Sequence, residues 1–294
     1  MTLDSKLQMA YKECGRITKK EAANFYYAFL TLPKHRRRAI YAVYAFCRYC
    51  DDAVDDQSSI DSKLESLNLL REKLGLSYAG LAVDPVFLCL SDVVKQFEIP
   101  QEYFEDVLLG VESDLVKNRY QNFEELKQYC YKVASVVGLI CIQIFGYRDN
   151  IAKTYAIDLG LAMQLTNILR DIQEDLLMDR IYLPQEETDR FNYSEEDLRS
   201  GLVNKQFKEL MLFQTHRARK YFERGFLLPS YLSIRSRACP MALGGMYRTI
   251  LERIEKSDFE IFHNRITLTR VEKIRIMCIA LIMSLVPNWA RKLK

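Results

Sequence analysis

The chain has 294 residues, 49% of them hydrophobic, which is enough for one large domain or two small ones. Its 42 basic and 39 acidic residues are mixed along the whole length and leave a formal charge of only +3, which excludes a nucleic-acid tail or a disordered charged segment. With 11 Gly and 7 Pro, and with Leu, Ala, Glu, Lys, Arg and Ile recurring at helical spacing, the composition predicts an all-α protein.

The first residues, Met1-Thr2-Leu3-Asp4-Ser5-Lys6, lack the apolar core of a signal peptide. Thr18-x-x-Glu21 reads as a capping box that opens a helix running to about Leu32. Pro33 then sits at the first turn of the next helix, whose apolar face (Ile40, Val43, Ala45, Phe46) leads into the acidic run Asp51-Asp52-Ala53-Val54-Asp55-Asp56. Helical patterns follow at 60–75, 84–97, 101–117 and 123–145, and a long one at 150–178 carries Asp171-Ile172-Gln173-Glu174-Asp175. Pro184 ends the loop after it, and further helices are expected at 194–222, 236–257 and 267–286.

No Gly/Ser-rich linker, composition shift or fixed-period repeat divides the chain, so one helical domain over 1–294 is expected. Of eight cysteines, only Cys47 and Cys50 form a C-x-x-C pair, and the three His lie far from it in sequence. Reduced thiols in a cytosolic protein are therefore expected. The most hydrophobic stretch, Ile276 to Val286, is closed by Pro287 and falls short of the roughly 20 residues of a spanning helix. It reads as a core helix, or as a surface resting on a membrane with Trp289, Arg291, Lys292 and Lys294 at its edge.

The two acidic segments carry the chemistry. Tyr44, Arg48, Asp51 and Asp55 fall at helical offsets and form one stripe. Gln164, Asn167, Asp171 and Asp175 repeat the device on an otherwise apolar helix. Burying such unpaired carboxylates costs several kcal/mol each by an order-of-magnitude reckoning, unless something cationic lies between them. Two facing stripes would supply oxygen ligands for Mg²⁺, which binds through a few carboxylates and substrate phosphates. Asp52, Asp56 and Glu174 fall off the stripes and read as supporting acids. Arg48, Arg170 and Arg180 beside the acids suit a diphosphate, and the apolar walls suit a long hydrocarbon tail. Neither a G-x-x-x-x-G-K-[ST] loop nor a G-x-G-x-x-G fingerprint occurs, which disfavours a nucleotide.

These residues resemble the squalene/phytoene synthase family of head-to-head prenyltransferases. The resemblance rests on Asn24-Phe25-Tyr26-Tyr27-Ala28-Phe29, on Arg38 to Arg48 leading into Asp51–Asp56, and on Gln164 to Asp175 with Arg180-Ile181-Tyr182-Leu183-Pro184. Weaker segments are Gly110–Leu115, Tyr131–Gly138 and Met246-Tyr247-Arg248. It implies an isoprenoid synthase fold, helices around a central cavity. It also implies that Asp51, Asp55, Asn167, Asp171 and Asp175 ligate Mg²⁺, and that Tyr44, Arg48, Gln164, Arg170, Arg180 and Tyr247 meet diphosphate or the reacting centre. Arg265 and Lys273 take the places of a C-terminal basic pair, while Phe25, Phe29, Tyr41, Val133, Val137, Gly138 and Leu161 are expected along the prenyl pocket. One departure stands out: where members carry serines before Phe25, this chain has Glu21-Ala22-Ala23-Asn24, so only Asn24 offers a polar donor.

The implied reaction condenses two prenyl diphosphates through a cyclopropylcarbinyl diphosphate. The Phe-Tyr-Tyr-Ala-Phe and Ala-Phe-Cys-Arg segments resemble presqualene-type synthases and point to C15 farnesyl diphosphate, while Arg-Ile-Tyr-Leu-Pro is shared with phytoene synthases. A phytoene synthase using C20 geranylgeranyl diphosphate is the alternative, and a non-catalytic assembly factor of the same fold the second. Use of NADPH, oligomeric state and peripheral membrane contact are left open.

Overall fold

The computed structural model describes residues 3–55 and 59–286. Among these residues there is no strand, and two isolated bridges, Arg119 to Ile181 and Tyr147 to Leu232, are the extended pairings. The first half comprises α1 (Leu3–Glu21), α2 (Ala23–Phe29), α3 (Lys34–Asp55), α4 (Ile60–Tyr78), α5 (Pro85–Phe97) and α6 (Gln101–Ser113). Next, α7 (Phe123–Cys130) passes through a π-helical turn at Tyr131–Ser135 into α8 (Val136–Phe145). Then come α9 (Ile151–Arg170), α10 (Ile172–Leu177), α11 (Gln185–Arg190) and α12 (Glu195–Arg199). The chain closes with α13 (Lys205–Gly225), α14 (Ala238–Lys256) and α15 (Arg270–Ser284).

Local chemistry explains several of the starts. The Asp84 carboxylate accepts from the Val86 N–H at 3.0 Å with Pro85 in the first turn, and Asn122 and Asn204 cap α7 and α13 through Glu125 N (3.0 Å) and Phe207 N (2.9 Å). Reciprocal capping boxes occur at Ser194/Asp197 and Thr269/Glu272. The one expected at Thr18/Glu21 does not. Thr18 lies inside α1, and its hydroxyl donates to the Cys14 carbonyl at 2.8 Å. The chain breaks instead at Ala22, between α1 and α2.

Three expected long helices are interrupted as well. The 123–145 stretch contains the π turn, the 150–178 stretch breaks at Asp171 (φ −103°, ψ 16°), and 194–222 is two helices separated by Gly201 at φ +68°.

α3 is the central element. It lies against α1, α4, α5, α6 and α8, and Phe46 on it meets Phe104 and Phe87 edge-on at 5.2 and 6.0 Å. α9 forms the opposite wall, packed on α13, α8, α14 and the π turn. Gly160 and Gly225 permit that approach: a Cβ on Gly160 would stand 2.7 Å from Ser135 Cα, and one on Gly225 2.8 Å from Leu159 Cα. Buried side chains form one contiguous cluster from Ala10 to Ala280.

Phe123–Phe145, with mean hydropathy 1.4, is the helical stretch among the described residues long and apolar enough to cross a membrane. Half of that window is buried inside the protein, as α7 and α8 packed on α6 and α9. α15 leaves Val271, Ile279, Ile282 and Leu285 exposed along its outer side. Trp289, Arg291, Lys292 and Lys294 lie outside the described residues, as does Asp56.

Candidate active site

α3 and α9 wall a cavity of about 700 Å³. From α3 it takes Ile40, Val43, Tyr44, Cys47, Arg48, Asp51 and Val54, a single helical stripe spanning roughly 21 Å at about 1.5 Å per residue. From α9 it takes Gly160, Met163, Gln164 and Asn167, followed by Arg170, Asp171 and Asp175. The cavity therefore has a polar end at Asp51 and a hydrocarbon body. Its far end reaches Phe145, whose carbonyl accepts from Ser233 and Ser236, and these hydroxyls also take the guanidinium of Arg36 at the start of α3.

Most of the expected site residues meet here. Asn24, Phe25 and Phe29 of α2, Val133 of the π turn, Val137 and Gly138 of α8, Arg180, Tyr247 of α14, Arg265, and Lys273 of α15 all line the cavity. Tyr41 and Leu161 do not. Each stands one position off its helix's lining stripe: Tyr41 stacks on Tyr26 with centroids 6.3 Å apart, and Leu161 is buried in the core. Ile40 and Gly160, with Met163, take those places on the wall. Asp55 closes α3, and its side chain lies outside the described residues.

The break at Asp171 keeps the stripe aligned. Asp171 N–H donates to Asn167 O at 2.8 Å and Asp175 N–H to Asp171 O at 2.9 Å, so the four-residue spacing survives the change of helix. Asp171 is held by Arg170 (Nε to Oδ1, 2.7 Å) and by Arg265 (Nε to Oδ1, 2.9 Å), and Arg265 reaches on to Glu174 at 3.4 Å. Arg48 pairs with Asp52. The basic groups thus sit among the acids.

Asp175 carries the strongest electrostatic signal. Burial first, then the neighbouring carboxylates of Asp171, Asp114 and Glu174, push its pKa up to about 7 against the pull of Arg180. A cluster of carboxylates in that state has a deficit of positive charge. The Asn167 Oδ1, buried on the same wall, has no hydrogen-bond partner. Among the described residues no three acids already converge as a closed metal cluster. The donors instead stand on two walls, and all are oxygens, the set that fits a hard divalent cation whose remaining ligands come from a phosphate.

One acid on the cavity wall was not expected from the sequence. Asp114, just past α6, accepts from Tyr129 OH at 3.0 Å and from Tyr182 OH at 3.1 Å, and all three line the cavity. Tyr182 is placed by backbone: Ile181 N–H donates to Asn118 O and Gln185 N–H to Tyr120 O, both at 2.9 Å. Its ring stacks on Tyr129 and Tyr120 at 5.1 and 5.7 Å. The only hint in sequence was that Asp114 and Tyr182 fall within the Gly110–Leu115 and Arg180–Pro184 segments. The hydrocarbon body is aromatic near the acids, where Phe25 meets Tyr247, Phe29 and Tyr44 at 5.9, 6.0 and 6.2 Å.

The squalene/phytoene synthase family profile matches residues 18–272. The chain belongs to the squalene/phytoene synthase family. Among its relatives in this family, the 15-cis-phytoene synthase of Synechococcus elongatus is 37% identical over 271 residues, 88% of each chain. The phytoene synthase of Arthrospira platensis is 37% identical over 288 residues, 92% of each. Of solved structures, a dehydrosqualene synthase with bound ligand superimposes with a TM-score of 0.88 at 31% identity, covering 95% of this chain and 98% of that one. The squalene synthase of Alicyclobacillus acidocaldarius gives 0.83 at 28%, covering 88% and 97%. The fold is that of the isoprenoid synthases, and the family is one of prenyltransferases that condense prenyl diphosphates head to head.

Proposed function

We propose that this protein is a phytoene synthase, joining two molecules of C20 geranylgeranyl diphosphate. The supporting observation is that relatives 35–37% identical along most of the chain bear that name, in cyanobacteria and plants alike. This reverses the preference for C15 substrates drawn from the Phe-Tyr-Tyr-Ala-Phe and Ala-Phe-Cys-Arg segments, which are too short to weigh against the whole chain. The C15 reading keeps two observations in its favour, the 0.88 and 0.83 superpositions on a dehydrosqualene synthase and a squalene synthase. The non-catalytic reading is disfavoured because Asp51, Asn167, Asp171 and Asp175 are all retained on the cavity wall.

In this reading the acids and Asn167 would hold Mg²⁺, and the charge neutralisation it would supply is directed at a diphosphate leaving group. Arg170, Arg180, Arg265 and Lys273 line the same end and stabilise the rest of that charge. The rings of Phe25, Tyr44 and Tyr247 present π-faces to an allylic cation, and the apolar walls keep water from quenching it. The double bond of the second substrate attacks, one proton leaves and a cyclopropane closes with the acceptor's diphosphate intact. Loss of that second diphosphate permits rearrangement to the 1-1' bond, and loss of a second proton gives phytoene. Two diphosphates and two protons are released, so no hydride donor is required. The apolar product can leave along the exposed side of α15, beside Lys273.

The test is the ratio of kcat/KM for C20 over C15 diphosphate, measured as diphosphate release. A ratio above one is expected; preference for C15 would overturn the assignment while leaving the head-to-head chemistry intact.

A further inference from the structure

A second positively charged site lies next to the Phe145 end of the cavity. Arg36, Gly146, Tyr147, Arg148, Ser233 and Arg235 line a surface hollow of about 380 Å³. Arg36 comes from the first turn of α3, Arg148 from the α8–α9 loop, and Arg235 from the segment leading into α14. Arg237, the residue that caps α14, stands close enough to Arg148 to feel its charge. Asp51 is fifteen positions further along α3, about 22 Å at the helical rise, so this site is separate from the diphosphate end of the cavity.

Its electrostatics are uncompensated. Among the described residues none of these four arginines has a carboxylate at ion-pair distance, whereas most arginines elsewhere in the fold do. The nearest acid in sequence, Asp149, is exposed, accepts from the Ile151 N–H at the start of α9 at 2.9 Å, and among the described residues makes no ion pair with Arg148. Burial and Arg235 push the Arg36 guanidinium down from its ordinary value, and burial and Arg148 do the same to Arg237. The cations also sit at the wrong ends of their helices. Neither α3 nor α14 has an acid in its first turn, and positive charge there opposes the helix dipole. An anion would relieve both strains.

The site is also built to receive one. Arg36 Nη1 donates to the Ser233 and Ser236 hydroxyls, at 2.7 and 2.5 Å, which fixes its guanidinium. The Tyr147–Leu232 bridge and the Arg148 N–H to Tyr231 O bond of 3.0 Å clamp the other two segments together. Arg148 and Arg235 are exposed at the rim. Guanidinium forks with several positive charges match a multiply charged oxyanion better than a halide or a carboxylate. We propose that this hollow binds a phosphate group, either free as diphosphate or on an anionic lipid headgroup.

The test compares the whole protein with the Arg148→Ala/Arg235→Ala variant, whose changes lie outside the cavity and should leave prenyl diphosphate turnover unchanged. Inorganic diphosphate is titrated calorimetrically at low ionic strength without Mg²⁺. In parallel, phosphatidylglycerol and phosphatidylcholine vesicles are sedimented with each protein. A diphosphate site lost or weakened about tenfold or more in the variant supports the free anion. Loss of binding to phosphatidylglycerol vesicles alone supports the lipid source. Identical diphosphate stoichiometry and identical vesicle binding in the two proteins overturn the proposal. Should the double variant not fold, Arg235→Ala alone, at an exposed position, carries the same expectations.

Discussion

Asp51 and Asp171 stand on opposite walls of the same polar cavity end, so each should be indispensable for different geometric reasons. Asp51→Ala and Asp171→Ala are expected to lower kcat by about 100-fold or more with an unchanged far-UV circular dichroism spectrum. Chelation of divalent cations should have the same effect on the unaltered protein. Asp175 adds a pH signature. Folding raises its pKa from 3.8 to about 7, chiefly by burial, so the folded state holds this proton more tightly than the unfolded one. The contribution to stability is complete below about pH 4 and is lost as pH rises through about 7. In metal-free buffer the Tm should therefore fall between pH 5 and pH 8, more steeply than in Asp175→Asn; parallel profiles would show that Asp175 is not the titrating group.

The helices show which parts of the site a sequence can reveal. Polar residues at helical offsets on α3 and α9 were legible because each stripe is continuous along one element, and the fold needs only to bring two stripes face to face. Asp114 was not, since its meaning comes from Tyr182, 68 positions away, through a backbone pairing that no local pattern encodes. Tyr41 and Leu161 lie a single position, about 100° of helical rotation, off the lining stripe, a difference that membership of a family segment does not resolve. The start of α1 was overlooked for a related reason. Thr18-x-x-Glu21 matches a cap by composition, yet Leu7, Ala10, Tyr11, Cys14 and Thr18 already form an inward stripe before it. Close packing of α9 on the π turn is the element-scale feature most open to test. Gly160→Ala would place a methyl against the backbone of Ala134 and Ser135, which cannot rotate away. A loss of about 1–3 kcal/mol is expected, seen as a lower Tm of roughly 2–4 °C per kcal/mol. An unchanged Tm would mean that the two segments are not in contact.

At the scale of the molecule, one long cavity joins a charged end to a hydrocarbon body, and an arginine cluster sits outside its far end. In the proposed reaction that layout would keep two diphosphates together while their tails stay out of water, which is what a head-to-head condensation requires. Composition alone restricted the chain to helices, and the paired acids pointed to the polar end of the cavity, where the proposed ionisation would occur. Neither specified tail length, because Phe25, Phe29 and Met163 are as compatible with ordinary core as with a prenyl pocket until the cavity between them is seen. The most direct measurement is mass spectrometry of the products formed from geranylgeranyl diphosphate with Mg²⁺ and without NADPH. A C40 hydrocarbon with the mass of phytoene is the predicted result. Recovery of geranylgeraniol alone, or a condensed product from farnesyl diphosphate but none from the C20 substrate, would contradict it.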